Sequence, residues 1–217
     1  MSLTTPVDSA RPEWIEAFAP IAWATPYLTS PEWRIRARTR NVEPGQAADV
    51  FCNQTMRAFD GVQLWLELYK RPPPGSSAVT KCIVLCKFGS GLVGFPGIAH
   101  GGSTMTLMDE ALALAMIGSE SEKTVGGEWQ AIKPDWQRAV KDGTPISEAL
   151  KGSMVTAKLD MKFLKPVLCP GMVGIEVDTL EDKGYRMKMR GVMKDANNTP
   201  LLQADGIWVR IGGGTKL

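Results

Sequence analysis

The first regular signal along the chain is an alternation. Over residues 61–70, Val62, Leu64, Leu66 and Leu68 alternate with Gln63, Trp65, Glu67 and Tyr69. This period of two predicts a strand with one buried face. Pro72-Pro73-Pro74-Gly75 then breaks the chain, and residues 79–88 predict a second strand that stops at Gly89-Ser90-Gly91. The run 105–117 is apolar on every side apart from Asp109 and Glu110, which predicts a helix with no solvent face. After Gly118 the composition turns polar as far as about Gly152, with Trp129, Ile132 and Trp136 at helical spacing. This stretch predicts an inserted lid over 119–152. Four further strands are predicted over 154–165, 172–181, 185–194 and 201–211, separated by Pro and Gly, Asp-Lys-Gly and Asn-Asn turns. Short turns predict antiparallel neighbours, and Met187, Met189 and Met193 set against Arg186, Lys188 and Arg190 predict one-sided burial.

An antiparallel sheet of about six strands has to bury one face, and the 105–117 helix is the element apolar enough to fill its concavity. The expected fold is α+β, a sheet wrapped around one central helix. Ahead of it, Trp14, Ile15, Phe18, Trp23 and Trp33, interrupted by Pro20, Pro26 and Pro31, predict a short helix followed by irregular packing. Residues 1–60 are therefore expected to form an N-terminal cover, 61–211 the main domain and 212–217 a flexible tail. Arg34, Arg36, Arg38 and Arg40 recur at every second position. On a strand they would line one face, giving a solvated basic edge or a docking surface for phosphates or an acidic carrier protein.

The bulk numbers narrow the partners. The 217 residues carry a formal charge of +2, with no long basic block, which argues against nucleic-acid binding and for a small molecule or another protein. Cys52, Cys82, Cys86 and Cys169 show no C-x-x-C spacing, and the early acids Asp8, Glu13 and Glu16 do not resemble a transit peptide. Reduced thiols and a cytoplasmic location are expected, with no membrane span. One histidine and scattered cysteines offer no ligand set for zinc, so no metal is expected.

The candidate chemistry lies where the apolar helix begins. The single histidine, His100, stands in Phe95-Pro96-Gly97-Ile98-Ala99-His100-Gly101-Gly102, just ahead of the helix that carries the two acids. Amides at a helix N-terminus have no partners in the helix and sit at the positive end of its dipole, so Gly101 and Gly102 suit a developing oxyanion. With a helix start near Ser103, Asp109 lies about seven residues in, roughly 10 Å along the axis. One reacting carbon cannot sit about 3 Å from both. If both act on it, the carboxylate and the amides come from different subunits, with two antiparallel central helices about a two-fold axis. Adjacent helix positions diverge by about 100°, so only one of Asp109 and Glu110 can be the working acid, with a modest preference for Asp109. The alternative for the pair is an interface plug or a helix-to-strand ion pair.

The segment from Phe95 to Ala111, with His100-Gly101-Gly102 nine residues ahead of Asp109-Glu110-Ala111, resembles the HGG-x5-LxDEA signature of hotdog-fold thioesterases of the PaaI-like superfamily. Residues 154–166 resemble the strand that follows in that family, and 23–51 resemble a fungal branch of it. The resemblance implies a hotdog fold over 61–211, apart from the insertion, and hydrolysis of an acyl-CoA or acyl-carrier-protein thioester, a polyketide among the candidates, without metal or redox cofactor. It implies that Asp109 activates water or attacks the thioester, that Thr156 positions water, and that Gly101 and Gly102 of the partner subunit bind the carbonyl oxygen. His100 and Glu110 would support the site, and Phe95 and Met105 would contact the acyl group, joined by Trp129 and Trp136 unless these two tryptophans simply anchor the insertion to the body. A homodimer or dimer of dimers is implied. The polar helper that many members carry upstream of the turn is missing, since this chain has Leu92-Val93-Gly94-Phe95. That leaves open a non-hydrolytic hotdog protein that binds or shapes a polyketide-like ligand. A hotdog dehydratase or hydratase is a further alternative, although its His-Phe-Pro-Gly pattern is not met by Gly94-Phe95-Pro96-Gly97.

Overall fold

The computed structural model describes residues 10–38, 49–123 and 136–212. In chain order the elements are α1 (Pro12–Ala17), α2 (Thr25–Thr29), β1 (Trp33–Ala37), α3 (Val50–Asn53), β2 (Val62–Lys70), β3 (Lys81–Phe88), β4 (Val93–Phe95), β5 (Ile98–Ala99), α4 (Gly101–Lys123), α5 (Trp136–Lys141), α6 (Ile146–Ala149), β6 (Met154–Phe163), β7 (Gly171–Asp182), β8 (Arg186–Lys194) and β9 (Pro200–Arg210). Seven strands form one antiparallel sheet in the order β1-β2-β3-β7-β8-β9-β6, and β4 and β5 make a separate hairpin. All six expected strands are present. The seventh is β1, the arginine strand, which joins the sheet instead of standing apart from it.

The central helix is longer than its apolar run. It starts at Gly101 and continues to Lys123, so its last turn lies within the stretch expected as a lid. Leu107, Met108, Ala111, Leu112, Leu114 and Ala115 are fully buried, packed in one cluster with Trp65 and Tyr69 of β2, Ile175 of β7, Met187, Met189 and Met193 of β8 and Trp208 of β9. Helix and concave sheet bury each other's apolar faces, the arrangement the hydrophobic pattern predicts and the hotdog architecture.

Strand β2 departs from the one-sided burial its alternation suggests. Trp65 and Tyr69 belong to the cluster around α4, while Leu66 and Leu68 belong to a second cluster with Trp14, Phe18, Ile21, Leu28, Ile35, Ile83 and Leu85. Both faces of β2 are thus apolar because residues 10–37 roof the outer face of β1, β2 and β3. Trp23 fixes this roof farther across the sheet: its indole N–H donates to the Asp195 carbonyl at 2.9 Å, and its ring lies where a Cβ on Gly174 of β7 would stand at 2.5 Å. A residue larger than glycine at 174 would displace it.

One connection breaks the rule of neighbouring consecutive strands. β6 and β7 follow each other in sequence but lie apart in the sheet, because β6 pairs with β9 and becomes an edge. β7, β8 and β9 form the expected meander. Among the described residues, the edge position of β6 leaves one long side of its backbone without a strand partner, and the candidate site lies where this strand meets the middle of α4. Among the described residues no helix is long and apolar enough to cross a membrane.

Candidate active site

The β4–β5 hairpin delivers the chain to α4. Gly97 supplies the positive φ of +78° that its turn requires, and the His100 N–H donates to the Leu92 carbonyl at 2.7 Å, tying the start of the helix to the start of the hairpin. Gly94 lies so close to this junction that an added Cβ would stand 2.7 Å from the His100 Cα. That contact explains why position 94 carries no polar side chain, although its flanking residues Val93 and Phe95 are exposed.

At the head of α4 the two glycine amides are not equivalent. The Gly102 N–H donates to Nδ1 of His100 at 3.0 Å, so the imidazole caps the helix from outside. Because Nδ1 accepts, the neutral ring carries its proton on Nε2. The Gly101 N–H has no acceptor among the described residues. The expectation of two free amides is corrected to one: Gly102 is occupied by the adjacent histidine, and Gly101 remains open at the positive end of the helix. The nearest cover over Gly101 is the Phe163 ring at the end of β6, 3.7 Å from where its Cβ would be. Phe163 stands in the segment 154–166 that carries the family resemblance, but nothing in the sequence reading gave it a role in the site.

Asp109 lies eight residues beyond Gly101, about 12 Å along the axis. Its Oδ1 accepts a hydrogen bond of 3.0 Å from the Thr156 hydroxyl on β6. Burial pushes the Asp109 carboxyl above its ordinary value, and the Thr156 hydrogen bond opposes that rise by stabilising the anion. Thr156 is itself exposed, so the pair opens at the edge of the sheet. The two halves of the constellation are therefore separate within one chain: His100, Gly101 and Gly102 at the end of the helix, Asp109 and Thr156 at its middle.

Glu110 turns the other way. Its Oε2 accepts from Arg38 at 2.8 Å, and burial raises its pKa while Arg38 holds it down. Arg38 also contacts Glu67 at 3.4 Å, pairs with Asp49, and lies 4.6 Å over the Trp65 ring. Asp49, Cys52 and Glu110 bring ligand atoms within 4.8 Å of one another, and the Arg38 guanidinium supplies the positive charge there. Arg36 is buried against Glu67, and Arg34 meets Glu122 of α4 at 2.9 Å. The arginine stripe is thus neither a solvated edge nor an open docking surface over its first three members. It faces inward because the carboxylates of β2 and α4 lie beneath it. Arg40 falls outside the described residues.

The expected acyl contacts are scattered. Phe95 is 74% exposed on the hairpin and Met105 is 43% exposed on α4, both on the side of the helix start. Trp136 is half-buried on α5, and Trp129 lies outside the described residues. Exposed Leu168, whose neighbourhood bridges to Ile98 of the hairpin, adds an apolar residue to this rim that sequence spacing did not signal.

The family model of the thioesterase superfamily matches residues 96–201. The Verlamelin biosynthesis protein B of a Lecanicillium species is 22% identical over 169 residues, covering 74% of this chain, and the chain spans only 64% of that relative's length. Among solved structures, the PaaI protein of the E. coli phenylacetic acid degradation operon is 13% identical with a TM-score of 0.44, over 64% of this chain and 75% of that one. The smu.793 protein of Streptococcus mutans, solved bound to acetyl CoA, is 14% identical with a TM-score of 0.41, over 60% of this chain and 81% of that one.

Proposed function

We propose that this chain, whose residues 96–201 match the family model of the thioesterase superfamily, hydrolyses an acyl thioester carried by CoA or by an acyl carrier protein, with each site shared between two copies. The observation that carries the proposal is the partition along α4. A free Gly101 amide and a Thr156-bound Asp109 carboxylate lie about 12 Å apart on one helix, so a single carbonyl meets both only when a second helix runs antiparallel beside the first. The β6 edge beside Asp109 is the surface over which such a copy would approach.

In this reading the Gly101 N–H receives the thioester oxygen as charge develops on it, a contact worth about 3 kcal/mol in the barrier. The Asp109 carboxylate of the other copy takes a proton from water as the water oxygen attacks the carbonyl carbon. Thr156 fixes the carboxylate rotamer through its hydroxyl. Collapse of the tetrahedral adduct breaks the C–S bond, and the departing thiolate takes up the proton that Asp109 had removed from water, leaving acid and thiol and restoring the carboxylate. Gly102, held by His100, shapes the turn and is not the principal donor. The apolar rim of Phe95, Met105 and Leu168 suits an acyl or polyketide chain, and the relative named for verlamelin biosynthesis favours a biosynthetic thioester. A cytoplasmic location accords with such a substrate.

The test is acid release from a panel of acyl-CoA and acyl-carrier-protein thioesters, wild type against Asp109→Ala. Equal rates would overturn the assignment. The shared site has its own test: two inactive variants, Asp109→Ala and Gly101→Pro, mixed after unfolding and refolded together, should recover about a quarter of wild-type activity, since half the pairs are mixed and each holds one intact site. No recovery, with dimers formed, would place both groups in one chain. A second reading, a non-hydrolytic ligand-binding protein, is favoured by the exposed apolar Val93 and Phe95 where a polar helper would stand. A co-purified ligand together with no turnover would select it.

A further inference from the structure

Asp109 and Glu110 are consecutive, yet they are tied to opposite edges of the sheet. Asp109 is bound by Thr156 of β6, one edge, and Glu110 by Arg38, the residue that follows β1 at the other edge. The central helix is thus held from both sides at one level along its axis. Arg38 is built for this role. Its backbone N–H donates to the Trp65 carbonyl at 2.9 Å, its carbonyl accepts from Arg57, and its guanidinium rests 4.6 Å over the Trp65 ring while reaching Glu110, Glu67 and Asp49. Its side chain is only 13% exposed.

We infer that Arg38 is a positioning residue for the Asp109 carboxylate, acting through Glu110 to fix the rotation of α4, so that the N-terminal segment is part of the active-site machinery and more than a cover. The kinetic consequence rests on the thioesterase reading above; the mechanical one does not. Without Arg38, Glu67 keeps Arg36, but Glu110 loses the cation it pairs with and remains largely enclosed. A carboxylate left without its counterion in such a place draws in water, and α4 has to rotate or loosen to admit it. Rotation by even a fraction of the angle between adjacent residues carries Asp109 away from Thr156. The neutral glutamine isostere at 110 removes the force that drives this movement, so the damage from losing Arg38 should be reversible by a second substitution far from it in sequence.

The experiment compares Arg38→Met, Arg38→Met with Glu110→Gln, and Arg38→Lys in the full chain. For the acyl-CoA that wild type turns over fastest, Arg38→Met should lower kcat about tenfold with KM within twofold, and the double variant should return to within threefold of wild type. Arg38→Lys, which keeps a charge but not the planar fork that reaches three carboxylates, should fall between and serves if the methionine variant does not fold. Hydrogen exchange gives a readout independent of turnover: amides over 105–113 should lose protection in Arg38→Met and regain it in the double variant. If hydrolysis depends on Asp109 but kcat is unaffected in Arg38→Met, this inference falls and the thioesterase reading stands. If wild type hydrolyses no thioester, that reading falls, and unchanged protection over 105–113 would overturn the inference by itself.

Discussion

The Thr156 hydroxyl donates to Oδ1 of Asp109 across 3.0 Å, joining the edge strand β6 to the middle of the central helix. This bond occupies Oδ1, and Oδ2 has no hydrogen-bond partner among the described residues. Removing the carboxylate with Asp109→Asn should lower kcat/KM by about 10³-fold or more, because the amide cannot take the proton from water. Thr156→Ala keeps the charge and loses only its alignment; a hydrogen bond to a charged group is worth about 1.5 kcal/mol, so roughly tenfold is expected. Steady-state kinetics on both variants, with circular dichroism to verify folding, decides it.

The pH dependence follows from the same pair. Burial raises the Asp109 carboxyl above its usual 3.8, so the acid limb of kcat/KM should lie above that value, with activity gained as the group ionises. Thr156→Ala removes the interaction that lowers it and should move the limb further towards neutral pH. Stability has the opposite sign. A carboxyl whose folded pKa is raised contributes stability below its unfolded pKa and loses it as pH rises through the folded one. Asp109→Asn should therefore melt above wild type at pH 7, and the difference should vanish in acid where both are neutral.

The unequal amides of Gly101 and Gly102 give a third expectation. Proline is tolerated at the first position of a helix and has no N–H, so Gly101→Pro removes the open donor while leaving the helix start in place. It should cost about 10²–10³ in kcat. His100→Ala removes a cap and not the donor, so its main effect should be a stability loss of about 1 kcal/mol, with kcat within about threefold. Similar kcat losses in the two variants would mean that the imidazole itself meets the substrate.

The roof over the outer face is expected to be a major source of stability. Phe18 is fully buried between α1 and the β1–β3 surface, and Phe18→Ala should cost about 3–5 kcal/mol through lost burial and the cavity left behind. Chemical denaturation reads this as a lower midpoint with an unchanged slope.

Local pattern made most of the sheet legible and left its arrangement hidden. The six expected strands and the central helix rest on periodicity that spans only their own residues; each strand was found within about two positions, while the helix extends beyond its apolar run at both ends. The place of β1 in the sheet escaped because alternating arginines on a strand look solvated until their partners are known. Glu67, Glu110 and Glu122 lie 29 to 88 residues away along the chain. The edge position of β6 is likewise a matter of strand order, which no local window encodes. Within the candidate site, Asp109 stood out as an acid in an apolar helix, whereas Thr156 came only from resemblance. The capture of the Gly102 amide by His100 depends on a side-chain rotamer.

The roof also divides the outer surface of the sheet into two unlike halves. Over β1 to β3 it seals an apolar face, while β8 and β9 present a charged one, with Arg190 and Asp205 joined at 2.8 Å across the strands. For anyone re-engineering the molecule, the second half is the free canvas: dyes, surface charges and attachment points belong on β8 and β9. The first half forbids trimming. A version shortened to begin at β2 would bare Leu66, Leu68, Ile83 and Leu85 together and would self-associate before any substrate was added.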